Sequence, residues 1–488
     1  MIYFKKIFCC SLIIFTFLFG RAQKTGSAHI SFTGIALQSA DSAKKVCITE
    51  ITVRGNKRTK IAVILRELPF VKGDSIPISK IAAEMEQART QVYNTSLFEM
   101  VKIEVNIDSS SAITVNIITN ERWYIYPIPQ FQLVDRNFNV WYKTFHRSLR
   151  RVNYGVKFEH SNLTGNRDKL RLYLINGYSR NILFNYSNPN VNVARTMGFS
   201  FGGGYSQNRE ISYATSDSNV VQFYPPDSIR KNITPFVRQS WFINAGYTIR
   251  KGFFSRHSFN AGYTYLKVVD SIILKNPNYF NKPVVSMGFP EISYTFQYTH
   301  VDNNLYALKG TTYYLQVVKR GWGISDGLDM FSFEAGLSKY YSLGKNWYSN
   351  FTIMGRIKLP FKQSYLNQRA LGYGDQYLRG LEYHVVDGVA YTLLRSTLKK
   401  KIISFNIPFR LFPKLLTKIP FTFFAKTYAD FGYVYNKPKF DTYLSNRMLY
   451  TGGFGIDLLT LYDINLRFEY SFNQLKKSGL FFHTQSGF

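Results

Sequence analysis

Among the residues of this chain that could do chemistry, the pair that stands out is Arg379 and Asp430. Arg379 sits in residues 371–388, LGYGDQYLRGLEYHVVDG, where glycines at 372, 374, 380 and 388 let the backbone turn sharply and approach other chain closely. A guanidinium is a permanent charge with five donors, so it must find acceptors wherever it leaves water. Its natural partner is an acid on a neighbouring strand. Residues 424–435, FAKTYADFGYVY, supply Asp430 between Tyr428 and Gly432. At ~4 Å and an effective dielectric near 20, such a pair is worth roughly 4 kcal/mol before desolvation is subtracted. That is enough to order a loop, not to hold a domain together.

The other chemical signals are weaker. Gly323-Ile324-Ser325-Asp326-Gly327 matches the G-x-S-x-G nucleophile pattern, but it falls in a turn between strand-like runs instead of a strand-to-helix elbow. The seven histidines are scattered, with no HExxH or paired metal spacing, so no metal or cofactor is expected. Gly202, Gly203 and Gly204 fall within a strand-like run, where they read as room for curvature or a packed neighbour, not as a phosphate loop. The chain is therefore expected not to be an enzyme.

The elements that would position Arg379 and Asp430 are strands. Beyond Trp123 the sequence repeats a theme of roughly ten residues in which apolar and polar side chains alternate before a turn. Leu170, Leu172 and Leu174 share one face while Lys169, Arg171 and Tyr173 share the other. Phe331, Phe333, Ala335 and Leu337 alternate with Ser332, Glu334, Gly336 and Ser338, and Leu466, Phe468, Tyr470 and Phe472 with Arg467, Glu469 and Ser471. Two architectures share this pattern: a soluble sandwich, apolar inward, and a membrane barrel, apolar outward. About sixteen such strands fit between residues 125 and 488, an even number suited to a barrel. The count places residues 371–388 between the eleventh and twelfth strands. The first strand, residues 126–131, carries Pro127 and Pro129, which cannot donate to a ladder and belong at an edge. With the last strand, which ends at Phe488, they mark a weak seam on which a client strand could pair. Equally, the two prolines could stiffen the link from the preceding domain.

Composition agrees with a wall between lipid and water. The 488 residues include 36 Tyr and 42 Phe, with only 19% charged residues; aromatic girdles at both membrane interfaces use such residues. The formal net charge of +31 would point to nucleic acid in a cytoplasmic protein. Residues 1–22, however, read as a secretory signal: Lys5 and Lys6, an apolar run over residues 7–19, then Gly20-Arg21-Ala22. An exported chain has little nucleic acid to meet, so the charge is assigned to lumen and interface, drawn to anionic lipid headgroups, with a solvated basic surface as the alternative. Cys9 and Cys10 lie inside the apolar run, against a lipoprotein reading, and removal of the signal leaves only Cys47. No later stretch approaches the ~18 apolar residues of a membrane helix, so membrane entry requires a closed barrel.

Residues 23–45 read as a flexible lead-in. Residues 46–122 then form a small α+β unit of order βααββ: an apolar strand ending in the Gly55-Asn56 turn, a helix capped by Thr59 with Ile61, Ile64, Leu65 and Leu68 on one face, and a second helix from about Ser79 with Ile81, Met85, Ala88 and Val92 on one stripe. Two strands follow, through Val101, Ile103, Val105 and Ile107, then Ile113, Val115 and Ile117.

The ITVRGNKRT and YNTSLFEMVKIEV segments of this unit resemble a POTRA domain, and Leu378-Arg379-Gly380, Gly388 and Asp430-x-Gly432 resemble the signature of the BamA/TamA superfamily of outer-membrane barrels, whose sixth extracellular loop carries an (I/V/L)-R-G-(F/Y) motif. The resemblance extends to residues 160–179, to residues 452–472 and to the terminal aromatic, Phe488. It implies a mainly β protein: one POTRA domain (residues 46–122) before a transmembrane β-barrel (residues 123–488) in the bacterial outer membrane. It also implies that the loop arginine reaches into the lumen to pair with acids on the wall. Leu381 replaces the usual aromatic, and Thr397 or Leu398 stands where the family often keeps a second glutamate, so the clamp is expected to rest on Asp430 alone. The implied partners are unfolded outer-membrane or secreted polypeptides, captured by adding a strand to the POTRA sheet, with room for periplasmic chaperones or accessory lipoproteins. A single POTRA could instead act as a plug or spacer. Three functions remain open: an assembly factor inserting clients at the seam, a two-partner-type secretion pore, and a passive or adhesin-like surface barrel.

Overall fold

The structure, a computed structural model, describes residues 30–34, 45–108, 112–133, 152–223, 236–323, 328–374, 376–408, 418–437 and 444–485. The signal segment, Ser325 and Phe488 lie outside the described residues.

The small domain contains β1 (Ile30–Gly34), β2 (Lys45–Arg54), α1 (Ile61–Leu65), β3 (Ser75–Pro77), α2 (Ile78–Tyr93), β4 (Phe98–Ile107) and β5 (Ala112–Glu121). Its sheet has the order β1-β4-β5-β2-β3. Alternation drives this: Val101, Ile103, Val105 and Ile107 on β4, and Ile113, Val115 and Ile117 on β5, are buried against Ile81, Met85, Ala88 and Val92 of α2 in one core. Three expectations are corrected. The lead-in is not featureless, since Ile30–Gly34 adds a parallel strand to β4. The first helix buries Val63 and Ile64 while Ile61 and Leu65 face outward, because α1 is a single short turn-like piece whose register is set by packing. Thr59 does not cap it; its hydroxyl pairs with the Tyr124 hydroxyl at 3.0 Å. Gly55 makes the expected turn at φ +90°, where a Cβ would strike the Thr119 carbonyl, and Asn56 Nδ2 donates to Thr59 O at 3.0 Å.

The remainder is a 16-stranded antiparallel barrel. Its first half uses β6 (Ile125–Leu133), β7 (Val152–His160), β8 (Lys169–Gly177), β9 (Arg180–Asn188) and β10 (Met197–Asn208), then, after the outer hairpin β11 (Ile211–Ser216) and β12 (Asn219–Phe223), β13 (Arg238–Lys251) and β14 (Ser255–Val268). A short helix α3 (Asp270–Lys275) precedes β15 (Ser286–Val301), β16 (Gly310–Arg320), β17 (Met330–Gly344) and β18 (Trp347–Leu359). A small pair, β19 (Arg369–Leu371) and β20 (Val386–Asp387), belongs to the long loop before β21 (Ala390–Pro408), β22 (Lys418–Tyr435), β23 (Met448–Leu459), β24 (Asn465–Asn473) and β25 (Ser478–Gln485). Eleven barrel strands thus precede the loop and five follow it, as the alternation predicts.

Side-chain direction separates barrel from sandwich. Phe331, Phe333, Leu337, Phe468, Phe472, Leu480 and Phe482 are exposed on the outside, whereas Ser332, Glu334, Glu469 and Ser471 of the same strands are buried inside. Charge inward and apolar outward is the arrangement of a wall between lipid and an aqueous lumen. No helix among the described residues is long and apolar enough to cross a membrane. At the end of the barrel away from the small domain, Ile211, Leu266, Ile272, Tyr279, Phe280, Phe289 and Tyr365 form a second apolar core beneath the loops.

Candidate functional site: the clamped loop, the docked domain and the sheet edges

The loop of residues 371–388 enters the barrel on the side of β21–β24. Leu378 and Leu381 anchor it, both buried in a cluster with Leu393, Val434, Leu444 and Leu449. Leu381, the aliphatic noted in the sequence at this position, is itself one of the buried anchors. Gly380 turns at φ +92° against the wall, where an added Cβ would lie 2.7 Å from Ser471 Cβ. Asn473 Nδ2 donates to the Gly380 carbonyl at 2.7 Å.

Between these anchors Arg379 meets Asp430. Arg379 Nε donates to Asp430 Oδ2 at 2.8 Å, Nη2 donates to Oδ1, and the Arg379 backbone N–H reaches Oδ2 at 3.2 Å. The guanidinium also donates from Nη1 to Thr397 Oγ1 at 3.0 Å and lies 4.0 Å from the centroid of the Tyr428 ring. Thr397 thus supplies a neutral acceptor where a second carboxylate was absent, and the ring face supplies further negative potential. Tyr428 is held in turn by a 2.6 Å hydrogen bond with Ser471. The Asp430 side chain is wholly buried and that of Arg379 is 11% exposed, so this bidentate pair is strongly coupled. Arg395 lies directly across from Asp430 on β21 and donates to the Tyr377 carbonyl of the loop.

A second charged network lines the same wall nearer the small domain. Lys399 and Lys426 face each other across β21 and β22, a repulsive placement. Asp457 relieves it, with Oδ1 2.5 Å from Lys426 Nζ and Oδ2 3.7 Å from Lys399 Nζ. Glu469 also pairs with Lys426 at 2.6 Å, and Tyr306 donates to Asp457 at 2.8 Å. Glu382 of the loop and Glu469 converge on His483 Nε2 of β25 at 3.1 and 3.6 Å. Of these residues only Glu469 was named from the sequence, as a polar position in its strand's alternation, and none as part of a network. Their polar-face positions were legible, but their partners depend on strand register.

The small domain docks on turns at the near end of the barrel. Arg250 makes a bidentate pair with Glu67, at 2.5 and 2.6 Å. Arg122 reaches Asp463 at 2.8 Å, and the Tyr93 hydroxyl donates to the same carboxylate at 3.0 Å. Burial, then the Asp463 charge, pushes the Tyr93 phenol well above its ordinary pKa, so it stays a donor at any physiological pH. Asn162 Nδ2 donates to Thr59 Oγ1 at 3.0 Å and Lys60 N–H to the Gly165 carbonyl at 3.0 Å, which fastens the same face to the β7–β8 turn.

Pro127 and Pro129 lie within a continuous ladder of β6 with β7. Proline fits such a ladder where its missing N–H would have pointed away, so both gaps fall on the edge of β6 that faces away from β7. The sheet runs from β6 to β25, and among the described residues no ladder joins these two strands.

Residues 46–122 match the POTRA family, described as a surface antigen variable number repeat. That match covers the small domain, and the 16-stranded barrel that follows it is likened to known proteins by fold. Among solved structures the chain resembles CdiB from Escherichia coli, with a TM-score of 0.53 and 11% identity over 90% of this chain and 76% of that one. BamA from Haemophilus ducreyi lacking POTRA domains 1–3 matches with a TM-score of 0.49 and 12% identity, covering 90% and 85% of the two chains. CdiB from Acinetobacter baumannii matches with a TM-score of 0.47 and 10% identity, covering 90% and 73%. No curated protein matches the chain by sequence.

Proposed function

We propose that this protein is a non-catalytic assembly factor of the bacterial outer membrane. Its POTRA domain, on the periplasmic side, captures unfolded polypeptide, and its barrel inserts that polypeptide at the line between β6 and β25. The observation that carries this reading is the edge of β6, stripped of two donors by Pro127 and Pro129 and left without a described ladder to β25. Among the described residues, opening this line costs fewer hydrogen bonds than opening any other strand pair of the barrel, and it offers a strand template inside lipid. The clamp at Arg379 supports the same reading. A loop with buried apolar anchors and a bidentate ion pair occupies part of the lumen, and the POTRA domain is fastened to the near end, so the seam is the less obstructed path in this state. A passive surface barrel gives no account of that domain.

The test is reconstitution into liposomes and the folding rate of a denatured client barrel, measured with the intact protein, with a version lacking residues 46–120, and with Arg379→Ala. Acceleration by the intact protein that is lost in both variants supports the reading. No acceleration, with passage of an unfolded passenger or sizeable ion conductance instead, overturns it in favour of the pore.

A further inference from the structure

The POTRA sheet has two edges, and the chain itself covers both. The short β3 covers β2, and Ile30–Gly34 covers β4, pairing in parallel from Ile30 opposite Ile103 to Gly34 opposite Ile107. This second cover is slight. Ile30 packs against the domain core, but Phe32 on the same face remains 42% exposed. The cover is also incomplete: β4 spans Phe98–Ile107, so residues 98–102 have no strand partner on that side among the described residues. The covering segment, ISFTG, alternates Ile30 and Phe32 with Ser31 and Thr33, the period of an outer-membrane strand.

We infer that Ile30–Gly34 is a built-in stand-in for a client strand, occupying the polypeptide-accepting edge of the POTRA domain until a client displaces it. The inference rests on the assembly reading above and adds to it the binding edge, the direction of pairing and a regulation. A client strand first pairs in parallel with the backbone at residues 99–102, since the Phe98 carbonyl already accepts from Arg122 Nε at 2.8 Å, and then extends along β4 as the lead-in peels away. Backbone hydrogen bonds dominate such pairing, so many sequences qualify provided they alternate and are extended. Because the lead-in is tethered through residues 35–44, it competes at an effective concentration on the order of millimolar. Segments too short to span the toehold and the covered stretch are thereby excluded, and alternating segments as long as β4, ten residues, are admitted.

The experiment uses the full-length protein in detergent or liposomes with Cys47→Ser. The probe is a fluorescent peptide of residues 478–488, SGLFFHTQSGF, a barrel strand of this chain. Ser31→Cys with Glu104→Cys places two thiols on facing residues, within the Cα separation that a disulfide spans. Oxidation should lower peptide affinity at least tenfold and reduction should restore it. Phe32→Pro, or removal of residues 23–34, should raise affinity by about tenfold. Equal affinity in every form overturns the inference, as does failure of the disulfide to form or absence of binding throughout. Binding that follows the lead-in without any acceleration of client folding would sink the insertion reading and leave this one standing. Acceleration with binding indifferent to the lead-in would do the reverse.

Discussion

At the residue scale the account rests on Asp430, which serves two arginines. Arg379 binds it directly, and Arg395 faces it across the ladder. Asp430→Ala therefore leaves two cations with one buried acceptor removed, whereas Arg379→Ala leaves an acid that Arg395 can turn to meet. Breaking a buried pair costs about 3–5 kcal/mol, so Asp430→Ala should release the loop more completely than Arg379→Ala. Limited proteolysis of the loop in detergent reads this directly. The barrel should resist in both variants, and equal protection of the loop in wild type and Asp430→Ala would refute the clamp. Gly380→Val should also loosen the loop, by about 1–3 kcal/mol from the positive φ alone, with the contact at Ser471 added. Ser471→Gly should restore only the part due to crowding, and full rescue would show that the backbone carries no strain. Arg379 and Asp430 were legible in the sequence because a glycine-bounded arginine and a lone acid in an aromatic strand are rare local patterns. Thr397 as the additional acceptor was legible only as a missing glutamate, since what replaces a charge is decided by the space around it.

At the element scale the POTRA domain and the barrel are joined by a few buried polar contacts, not by a shared apolar core. The Glu67 and Arg250 side chains are 5% and 13% exposed, and those of Arg122 and Asp463 are 6% and 9% exposed. Removing Arg250 strands a buried carboxylate at the interface, so Arg250→Ala should weaken docking by about 3–5 kcal/mol. Hydrogen exchange in the turn after β13 and in α1 should then rise, with the barrel strands unchanged; unaltered exchange at both would show that the pair does not hold the domain. The alternation of β4 and β5 and the stripe on α2 made this domain readable as a unit. The burial of α1 was misread because a five-residue helix has too few positions for periodicity to outvote packing. The strand at Ile30–Gly34 escaped because five residues flanked by polar sequence carry no signal of a partner some seventy residues away.

At the scale of the whole molecule the same alternating sequence could have folded inside out. What decides it is where charge can be satisfied. Lys399, Lys426, Asp457 and Glu469 neutralise one another only when four neighbouring strands turn their polar faces to a common interior, and a lipid-facing surface accepts the aromatics left outside. Alternation predicted the strand number and the position of the loop. The charged network and the docking contacts were hidden because each joins residues whose proximity depends on register and closure. The edge at β6 is the reverse case: Pro127 and Pro129 announce a strand with one edge short of two donors wherever it lies.

The measurement that bears most directly on insertion at this edge is client folding with the seam locked. Single cysteines placed along β6, within Ile125–Leu133, and along β25, within Ser478–Gln485, in a Cys47→Ser chain would be scanned for pairs that oxidise in liposomes. With such a pair reduced, the protein should accelerate folding of a denatured barrel client; with it oxidised, acceleration should vanish, and reductant should return it. Undiminished acceleration with the two strands covalently joined would contradict insertion through the seam.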